Sequence, residues 1–241
     1  FIHGVMNTDN MSISGETIDY GPCAFMNTYK PNTVFSFIDK NGRYSFENQP
    51  NILHWNLTVF ANTLIPIISG NKEKSIALIK EKLNDFPSIF SNNWYNMMYK
   101  KLGILKPIEK DKILVDSLLE LMNNYKADYT NTFAALTLDD VSNDALFTSN
   151  KFKKWQKKWK DRINSLNNNA KSFKLMKEQN PLIIPRNHLV ELALENSING
   201  NFNQLNDLLN LVSNPYNYTS NYSFQNIPEG FDDSYKTFCG T

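Results

Sequence analysis

Apolar side chains recur at intervals of three and four residues over most of the chain from Asn51 onwards. This spacing lines them up on one face of an α-helix, so the sequence predicts a mainly α fold built from amphipathic helices. The helices predicted in this way cover residues 51–66, 72–86, 91–102, 111–125, 128–136, 189–196 and 205–212.

Local signals predict where several of these helices begin and end. Pro66 and Pro87 are expected to end the helices in front of them, because proline lacks a backbone N–H and clashes with the preceding turn. Asn187 is expected to cap the helix that starts at residue 189. The first helix has the apolar content of a buried central helix, so its residues His54 and Trp55 are predicted to lie in the core of the protein.

The segment 152–160, FKKWQKKWK, is basic and carries interleaved aromatic residues. Such a composition can bind single-stranded nucleic acid or an anionic membrane surface. However, Phe152, Trp155, Trp159 and Ile163 fall at helical spacing, so the sequence favours an amphipathic helix with an apolar stripe inside and lysines in solvent.

Composition restricts the class of protein. The 241 residues are 41% hydrophobic and carry a net charge of +1, as expected of a soluble globular chain with one large domain or two small ones. The charge gives no reason to expect a nucleic-acid partner, and no apolar run approaches the roughly 20 residues that span a bilayer. Without a signal peptide, the expected location is cytoplasmic, or mitochondrial in a eukaryote.

The first 22 residues, FIHGVMNTDNMSISGETIDYGP, contain the strongest candidate site. A turn at residues 14–16 predicts a short β-hairpin that brings Asp9, Asn10 and Asp19 to the same end. An amide oxygen and a carboxylate are ligands that Mg²⁺ takes from a protein when phosphates supply the others, and phosphoryl-transfer sites of the kinase type use the same parts. Asp, Asn and Gly are also ordinary turn residues, so the spacing alone leaves both interpretations open.

The run HGVMNTDNMSISGETIDYGP closely resembles the signature of the selenoprotein O family, the pseudokinase-like protein adenylyltransferases. The likeness covers most of the chain and is densest in the first sixty residues. It continues through residues 23–26, 29–31, 42–50, 55–57, 180–181, 186–189 and 214–216. Asn27 departs from the pattern, since the family is expected to have Asp there.

This resemblance implies a kinase-like fold, a divalent metal, and AMP transfer from ATP to hydroxyl side chains of other proteins. By motif position Asp9 matches the family's catalytic base, while Asn10 and Asp19 match its metal ligands, with Asp19 reaching ATP through Mg²⁺ or Mn²⁺. The fold expected is a protein-kinase-like C-lobe with a short N-terminal hairpin and additional C-terminal helices. The chain begins inside a motif, so we expect a C-terminal portion that lacks the nucleotide-clamping lobe and is inactive alone.

We divide this continuous domain into a catalytic hairpin with an activation-type segment (1–50), a helical region (51–212) and an extended tail (213–241). Phe35, Phe37, Tyr44 and Phe46 are expected to anchor the activation-type segment by packing. Arg186 could contact a phosphate or form a structural ion pair, and His188 could likewise contact a phosphate or an acidic partner.

The only two cysteines are Cys23, beside the proposed metal site, and Cys239, in the tail. We hypothesise a reversible disulfide between them that ties the tail over the activation-type segment and makes activity redox-dependent. Family members often carry Cys or selenocysteine near this terminus, so the resemblance also implies redox chemistry there.

Three functions remain open at this point. The first is metal-dependent AMP transfer, with ATP and hydroxyl-bearing proteins as partners and no nucleic acid or membrane. The second is an ordinary protein kinase that uses the same residues to transfer the γ-phosphate. The third is a non-catalytic pseudokinase scaffold, against which the retention of Asp9, Asn10 and Asp19 argues.

Overall fold

A computed structural model describes residues 1–16, 21–141, 144–165, 167–218 and 226–238 of the chain. Helices make up 62% and strands 3%, which confirms the mainly α prediction. In the described part of the chain the α-helices are α1 (Gln49–Ile68), α2 (Lys72–Lys101), α3 (Lys112–Asn124), α4 (Tyr129–Leu138), α5 (Ala145–Thr148), α6 (Asn150–Asn164), α7 (Asn169–Gln179), α8 (Asn187–Ile198), α9 (Asn203–Val212) and α10 (Phe231–Ser234). None of them combines the length and apolar character needed to cross a membrane.

The chain forms two compact units, which are described separately. Unit 1 consists of Phe1–Ala24, Pro31–Trp94 and Lys236–Thr241, and unit 2 of Phe25–Lys30 and Tyr95–Tyr235. Among the described residues, extended pairing is limited to isolated bridges, two in unit 1 (Ile2 with Ala24, Ser36 with Thr237) and one in unit 2 (Thr28 with Asp128).

Unit 1 has a small core beneath the N-terminal segment. Val5, Met6, Tyr44 and Ile52 are buried together, and Met11 and Leu53 pack against them. Of the four expected aromatic anchors, Phe35 and Tyr44 are buried and Phe46 is half-buried, whereas Phe37 is 49% exposed. Trp55 is also 48% exposed, so its predicted place in the core is wrong. The activation-type segment is therefore anchored by three of its aromatic side chains.

Pro66 and Pro87 do not end helices, contrary to the prediction. Pro66 lies inside α1, and α2 runs for 30 residues straight through Pro87. A proline at position 87 leaves the carbonyl of Leu83 without its usual backbone donor. His54 supplies a replacement, because its Nε2 lies 3.0 Å from the oxygen of Leu83 and its ring stacks on Phe86 at 5.0 Å. A side chain from α1 thus compensates for the proline in α2.

Unit 2 is built around α3 and α6, which contact each other along their apolar faces. Phe152, Trp155, Trp159 and Ile163 are buried on α6, while Lys153, Lys154, Lys157 and Lys158 are exposed. The two indole N–H groups donate to backbone oxygens, Trp155 to Leu114 and Trp159 to Leu102, both at 2.9 Å. This confirms the predicted amphipathic helix, because its aromatic stripe lies in the core and its lysines face solvent.

Arg186 is fully buried and forms the structural ion pair that the sequence left open. Its guanidinium donates to Asp128, Asn27 and Asn131, with the shortest bond 2.7 Å long, to Asn27 Oδ1. The expected cap by Asn187 is wrong: α8 begins at that residue, and its amide instead exchanges two hydrogen bonds with the backbone of Phe25. The side chain of Asn187 is therefore used in a long-range contact and not at the start of a helix, where the local spacing had placed it.

The C-terminal region contains more structure than an extended tail. The helix α10 lies in unit 2, where Asp232 accepts hydrogen bonds from the side chain of Asn27 and the backbone of Thr28. Phe231 of the same helix packs edge-on against His188 at 5.4 Å. Burial, together with the neighbouring Arg186 guanidinium, lowers the pKa of His188.

Candidate functional site

The N-terminal segment reaches its turn through a tightly constrained approach. Ile2 and Ala24 exchange two backbone hydrogen bonds of 2.9 and 3.0 Å, which bring the chain back beside its own start. Gly4 has a φ of +93°, and a Cβ atom there would lie 2.1 Å from the carbonyl oxygen of Pro22. Only glycine fits such a position, because the backbone there is left-handed and the two main chains lie too close together to leave room for a Cβ atom.

Asp9 and Asn10 lie in a short 3-10 turn, Thr8–Asn10, and both are exposed. The turn closes with a hydrogen bond of 3.0 Å from the backbone N–H of Asn10 to Asn7. The Asn10 side chain bends back to donate from Nδ2 to the oxygen of Val5 at 3.1 Å. Since Nδ2 is used in this way, Oδ1 is the atom that the amide can offer to a cation.

Side chains from later in the unit hold this turn in place. The hydroxyl of Tyr44 donates to Oδ1 of Asn7 at 2.5 Å, and the buried Asn56 on α1 donates to the oxygen of Met6 at 2.9 Å. Both donors come from residues that are buried in the unit. These contacts hold Met6 and Asn7, and with them the backbone that leads into the turn carrying the exposed Asp9.

His3 contacts the same turn, and the sequence analysis missed it. Its Nε2 lies 3.2 Å from the backbone oxygen of Asn10, and a carbonyl only accepts, so Nε2 carries the proton. In the neutral ring Nδ1 is then an acceptor. It is buried without a hydrogen-bond partner among the described residues. The histidine two residues before Val5 was visible in the sequence, but nothing in the spacing showed that it reaches forward to Asn10.

The remaining predicted site residues are only partly placed. Asp19 and Cys239 lie outside the described residues, so neither the second metal ligand nor the disulfide is tested. Cys23 is half-buried in unit 1. A turn lies close to the position predicted for it: the N–H of Gly15 donates to the oxygen of Ser12 at 3.1 Å, so it spans residues 12–15 and not 14–16. The pairing of the two hairpin arms involves residues 17–20 and stays a prediction.

The donor atoms that are placed fit a hard cation. The Asp9 carboxylate and the Asn10 amide provide oxygen ligands on an exposed turn, which is the chemistry that Mg²⁺ and Mn²⁺ select. Among the described residues no group of three or more His, Cys, Asp or Glu could hold a metal by itself. A cation at this turn would therefore need further oxygen ligands, such as those of Asp19 or a bound phosphate.

Comparison with known proteins identifies the class of this mainly helical chain. Residues 1–213 match a family model described as Protein adenylyltransferase SelO. Because the match covers most of the chain, the chain belongs to the SelO family, which confirms the resemblance of its N-terminal motif.

Its relatives include the Protein nucleotidyltransferase YdiU of Clostridium beijerinckii, which is 50% identical over 243 residues. The proteins of that name from Clostridium perfringens strain SM101 and from Bacillus thuringiensis subsp. konkukian are each 47% identical. In each case the match includes all of this chain and 50% of the relative. The chain thus spans about half the length of the curated relatives it matches.

Proposed function

We propose that the protein containing this chain transfers AMP from ATP to hydroxyl side chains of target proteins. Membership of the SelO family and the nucleotidyltransferase names of its relatives support the general reaction. The observation that supports particular residues is the exposure of Asp9 and Asn10 on a turn whose preceding backbone is bonded by buried side chains. A reacting acid must be both accessible and fixed, and this turn provides both conditions.

Asp9 is proposed as the base that accepts the proton of the target hydroxyl as its oxygen attacks the α-phosphorus. An exposed carboxylate can reach a hydroxyl group presented by another protein, and the turn limits its range of positions. Serine, threonine and tyrosine can all supply such a hydroxyl. Nothing at this turn selects among them.

Asn10 and Asp19 are proposed to hold Mg²⁺ or Mn²⁺, which supplies positive charge that stabilises the triphosphate and the leaving pyrophosphate. Asn10 contributes Oδ1, since its Nδ2 is bonded to Val5. The placing of Asp19 beside it rests on the family motif and is therefore part of the proposal. The backbone contact from His3 fixes the main chain from which the amide extends.

Regulation by a disulfide between Cys23 and Cys239 is part of the same proposal. Its support is the position of Cys23 one residue after Pro22, together with the pairing of Thr237 with the activation-type segment described below. Mass spectrometry of the folded protein without reductant is expected to find the two cysteines linked. Complete alkylation of both under those conditions would exclude the disulfide.

Residues 1–241 by themselves are expected to transfer no AMP, because the relatives are about twice as long and ATP has to be held from both sides. The test therefore uses this chain within a protein of the relatives' full length. That protein is incubated with Mg²⁺ or Mn²⁺ and either α-labelled or γ-labelled ATP, and label on protein is counted.

Label from the α-position that disappears in Asp19→Ala and Asp9→Asn would support the proposed reaction and both roles. Asp85→Asn is a matched control, since Asp85 is an exposed acid of the same unit outside the turn. Label only from the γ-position would make the protein a kinase, and no label at all would favour a scaffold.

A further inference from the structure

A short piece of the C-terminal region pairs with the activation-type segment inside unit 1. The backbone N–H of Thr237 donates to the oxygen of Phe35, and the N–H of Phe37 donates to the oxygen of Thr237, both at 2.9 Å. Together they form a parallel bridge between Ser36 and Thr237. Residues 34–37, called the docking edge below, thus bind one residue of extended polypeptide through both of its backbone groups.

Side chains on either side of the bridge add chemical selectivity. The hydroxyl of Thr237 donates to the carbonyl of Pro22 at 2.8 Å. The ammonium of Lys236 donates to the oxygen of Val34 at 2.9 Å. The ring of Phe238 lies 5.0 Å from the ring of Phe37. The docking edge therefore accepts a basic residue, a hydroxyl residue and an aromatic residue in that order.

The contact is shallow enough to be exchanged. Phe37 and Phe238 are 49% and 68% exposed, and the neighbouring Ile38 is 59% exposed. Water therefore reaches the side chains that flank the bridge, whereas Phe35 and Ser36 of the docking edge are buried. An edge that pairs through main-chain groups can pair equally with another extended chain. Because backbone N–H and C=O groups make the pairing, the ligand that fits is a polypeptide.

The docking edge is also connected to the candidate site. The Pro22 carbonyl that accepts from Thr237 is the one in direct contact with Gly4, five residues before Asp9. A hydroxyl held at Pro22 thus lies against the segment that leads into the turn carrying the proposed base.

We propose that the docking edge binds an extended segment of the target protein, and that residues 236–238 occupy it in the structure in place of that segment. This inference rests on the proposed function, which supplies the protein target. The target segment is expected to carry a hydroxyl residue between a basic and an aromatic residue, as the chain's own Lys-Thr-Phe does. Binding of the target then requires release of residues 236–238.

The test measures peptide binding without ATP or metal, on the full-length protein. The probe is a fluorescent peptide Ser-Tyr-Lys-Thr-Phe, the sequence of residues 234–238, blocked at both ends. Thr237→Pro removes the N–H that bonds to Phe35, so it is expected to release the internal segment and lower the peptide's Kd at least about tenfold relative to wild type. Thr237→Val is the matched control, because it keeps the backbone N–H and loses only the hydroxyl.

A peptide with the same residues in scrambled order should bind the Thr237→Pro variant at least about tenfold more weakly than the probe, a factor chosen as the threshold for sequence selectivity. Phe37→Ser in that variant should weaken binding of the probe, because it removes the aromatic contact of the docking edge.

If Thr237→Pro does not fold, amide hydrogen exchange on the wild-type protein replaces that experiment. Addition of the peptide should then speed exchange at Thr237 as the internal segment is displaced. Equal binding of both peptides, or an unchanged Thr237 amide, would overturn the proposal.

The outcome is separable from that of the proposed function. Peptide exchange in a protein that transfers no AMP would support the docking edge and count against the transferase. AMP transfer without any peptide exchange would overturn the docking edge alone and assign residues 236–238 a purely structural role.

Discussion

At the scale of single residues, His3 connects the core of unit 1 to the proposed metal ligand. Its backbone N–H is bound by the side chain of Gln49 at 3.0 Å, and its ring donates to the carbonyl of Asn10 at 3.2 Å. The Asn10 carbonyl is in an exposed turn, so water can replace this donor at little cost in stability. A loss of His3 should therefore affect the position of Asn10 more than the fold.

The prediction is that His3→Leu in the full-length protein lowers the proposed AMP transfer about 10- to 100-fold, the loss typical of removing an outer-shell partner from a metal site. His3→Gln should recover much of the loss, because its amide nitrogen can occupy the place of Nε2. The kinetics are followed with α-labelled ATP over a range of Mg²⁺ concentrations. If Gln and Leu are equally damaging, or if the loss tracks the melting temperature, His3 is structural only.

Asn27 stands where the resemblance led us to expect an aspartate, and its surroundings favour an amide. It is 1% exposed, accepts from Arg186 and donates to Asp232 Oδ1, each at 2.7 Å. An aspartate could accept from Arg186 but could not donate to Asp232. Two carboxylates would then face each other at hydrogen-bond distance.

We predict that Asn27→Asp lowers the free energy of unfolding by about 1–3 kcal/mol at pH 7, the cost of a buried polar group that loses its partner. Adding Asp232→Asn should restore most of it, since the new amide can donate to the new carboxylate. Urea unfolding of the two single variants and the double variant measures this coupling. Additive losses in the double variant would show that the two side chains do not interact.

At the scale of elements, His54 and Pro87 form a compensating pair between α1 and α2. The helix survives proline because the imidazole reaches the orphaned carbonyl of Leu83 and stacks on Phe86. The cost of proline in a helix interior, about 3 kcal/mol, includes the lost hydrogen bond. Part of that cost is therefore offset by a residue 33 positions earlier in the chain.

It follows that His54→Ala should cost about 1–3 kcal/mol of unfolding free energy in the wild-type background, through the unpaired carbonyl and the lost ring contact. In a Pro87→Ala background the cost should be smaller by about 1 kcal/mol, because the restored N–H of residue 87 can bond to Leu83. Denaturant unfolding of the four proteins gives the coupling. A cycle with zero coupling would mean that His54 acts only through its stack on Phe86.

These elements also show what the sequence could reveal. Periodicity located α3, α4, α6 and α9 well. In α3 and α6 the reason is plain, because their apolar stripes are buried and the period determines which side faces the core. The failures at Pro87 and Asn187 have a common cause. Both rules describe a local preference that a distant segment can override. At Pro87 the side chain of His54 bonds to the carbonyl that the rule assumes to be unpaired. At Asn187 the backbone of Phe25 takes the side chain that the rule assumes to be available for capping.

In the candidate site, too, the sequence revealed the local features and not the long-range contacts. Asp9 and Asn10 are adjacent in the sequence, and the family resemblance implied the roles that we propose for them. The contacts that hold the backbone before their turn come from Tyr44 and Asn56, which are 37 and 50 residues from their partners Asn7 and Met6. No spacing rule reaches across such separations without knowledge of the fold.

At the scale of the whole molecule, a half-buried lysine in unit 2 is expected to make stability depend on pH. Lys101 ends α2 with its ammonium 3.4 Å from the oxygen of Gln179 and 3.2 Å from Oδ1 of Asn180, beside the ring of Phe133. Among the residues that the structure describes, its contacts are carbonyl oxygens and an aromatic face, not a carboxylate. Burial lowers the pKa of Lys101 to about 8.

The folded protein therefore releases this proton at lower pH than the unfolded chain, in which the lysine keeps its ordinary pKa of 10.5. Between these values the unfolded state binds more protons, so this residue makes the free energy of unfolding rise as pH increases. Tyr95, whose pKa is raised from 10.0 to about 12, acts in the opposite direction above pH 10. The window in which Lys101 dominates is thus about pH 8 to 10.

Lys101→Met is predicted to stabilise the protein at pH 7, where the buried charge is costly, and to remove the upward slope between about pH 8 and 10. Lys100→Met is the control, because Lys100 is the exposed neighbour on the same helix and should leave the slope unchanged. Urea unfolding at half-unit steps of pH gives the free energies. Equal slopes in the wild type and Lys101→Met would contradict the prediction. They would mean that the carbonyl partners fully compensate the ammonium for its lost solvation, so that the stability of unit 2 does not depend on this charge.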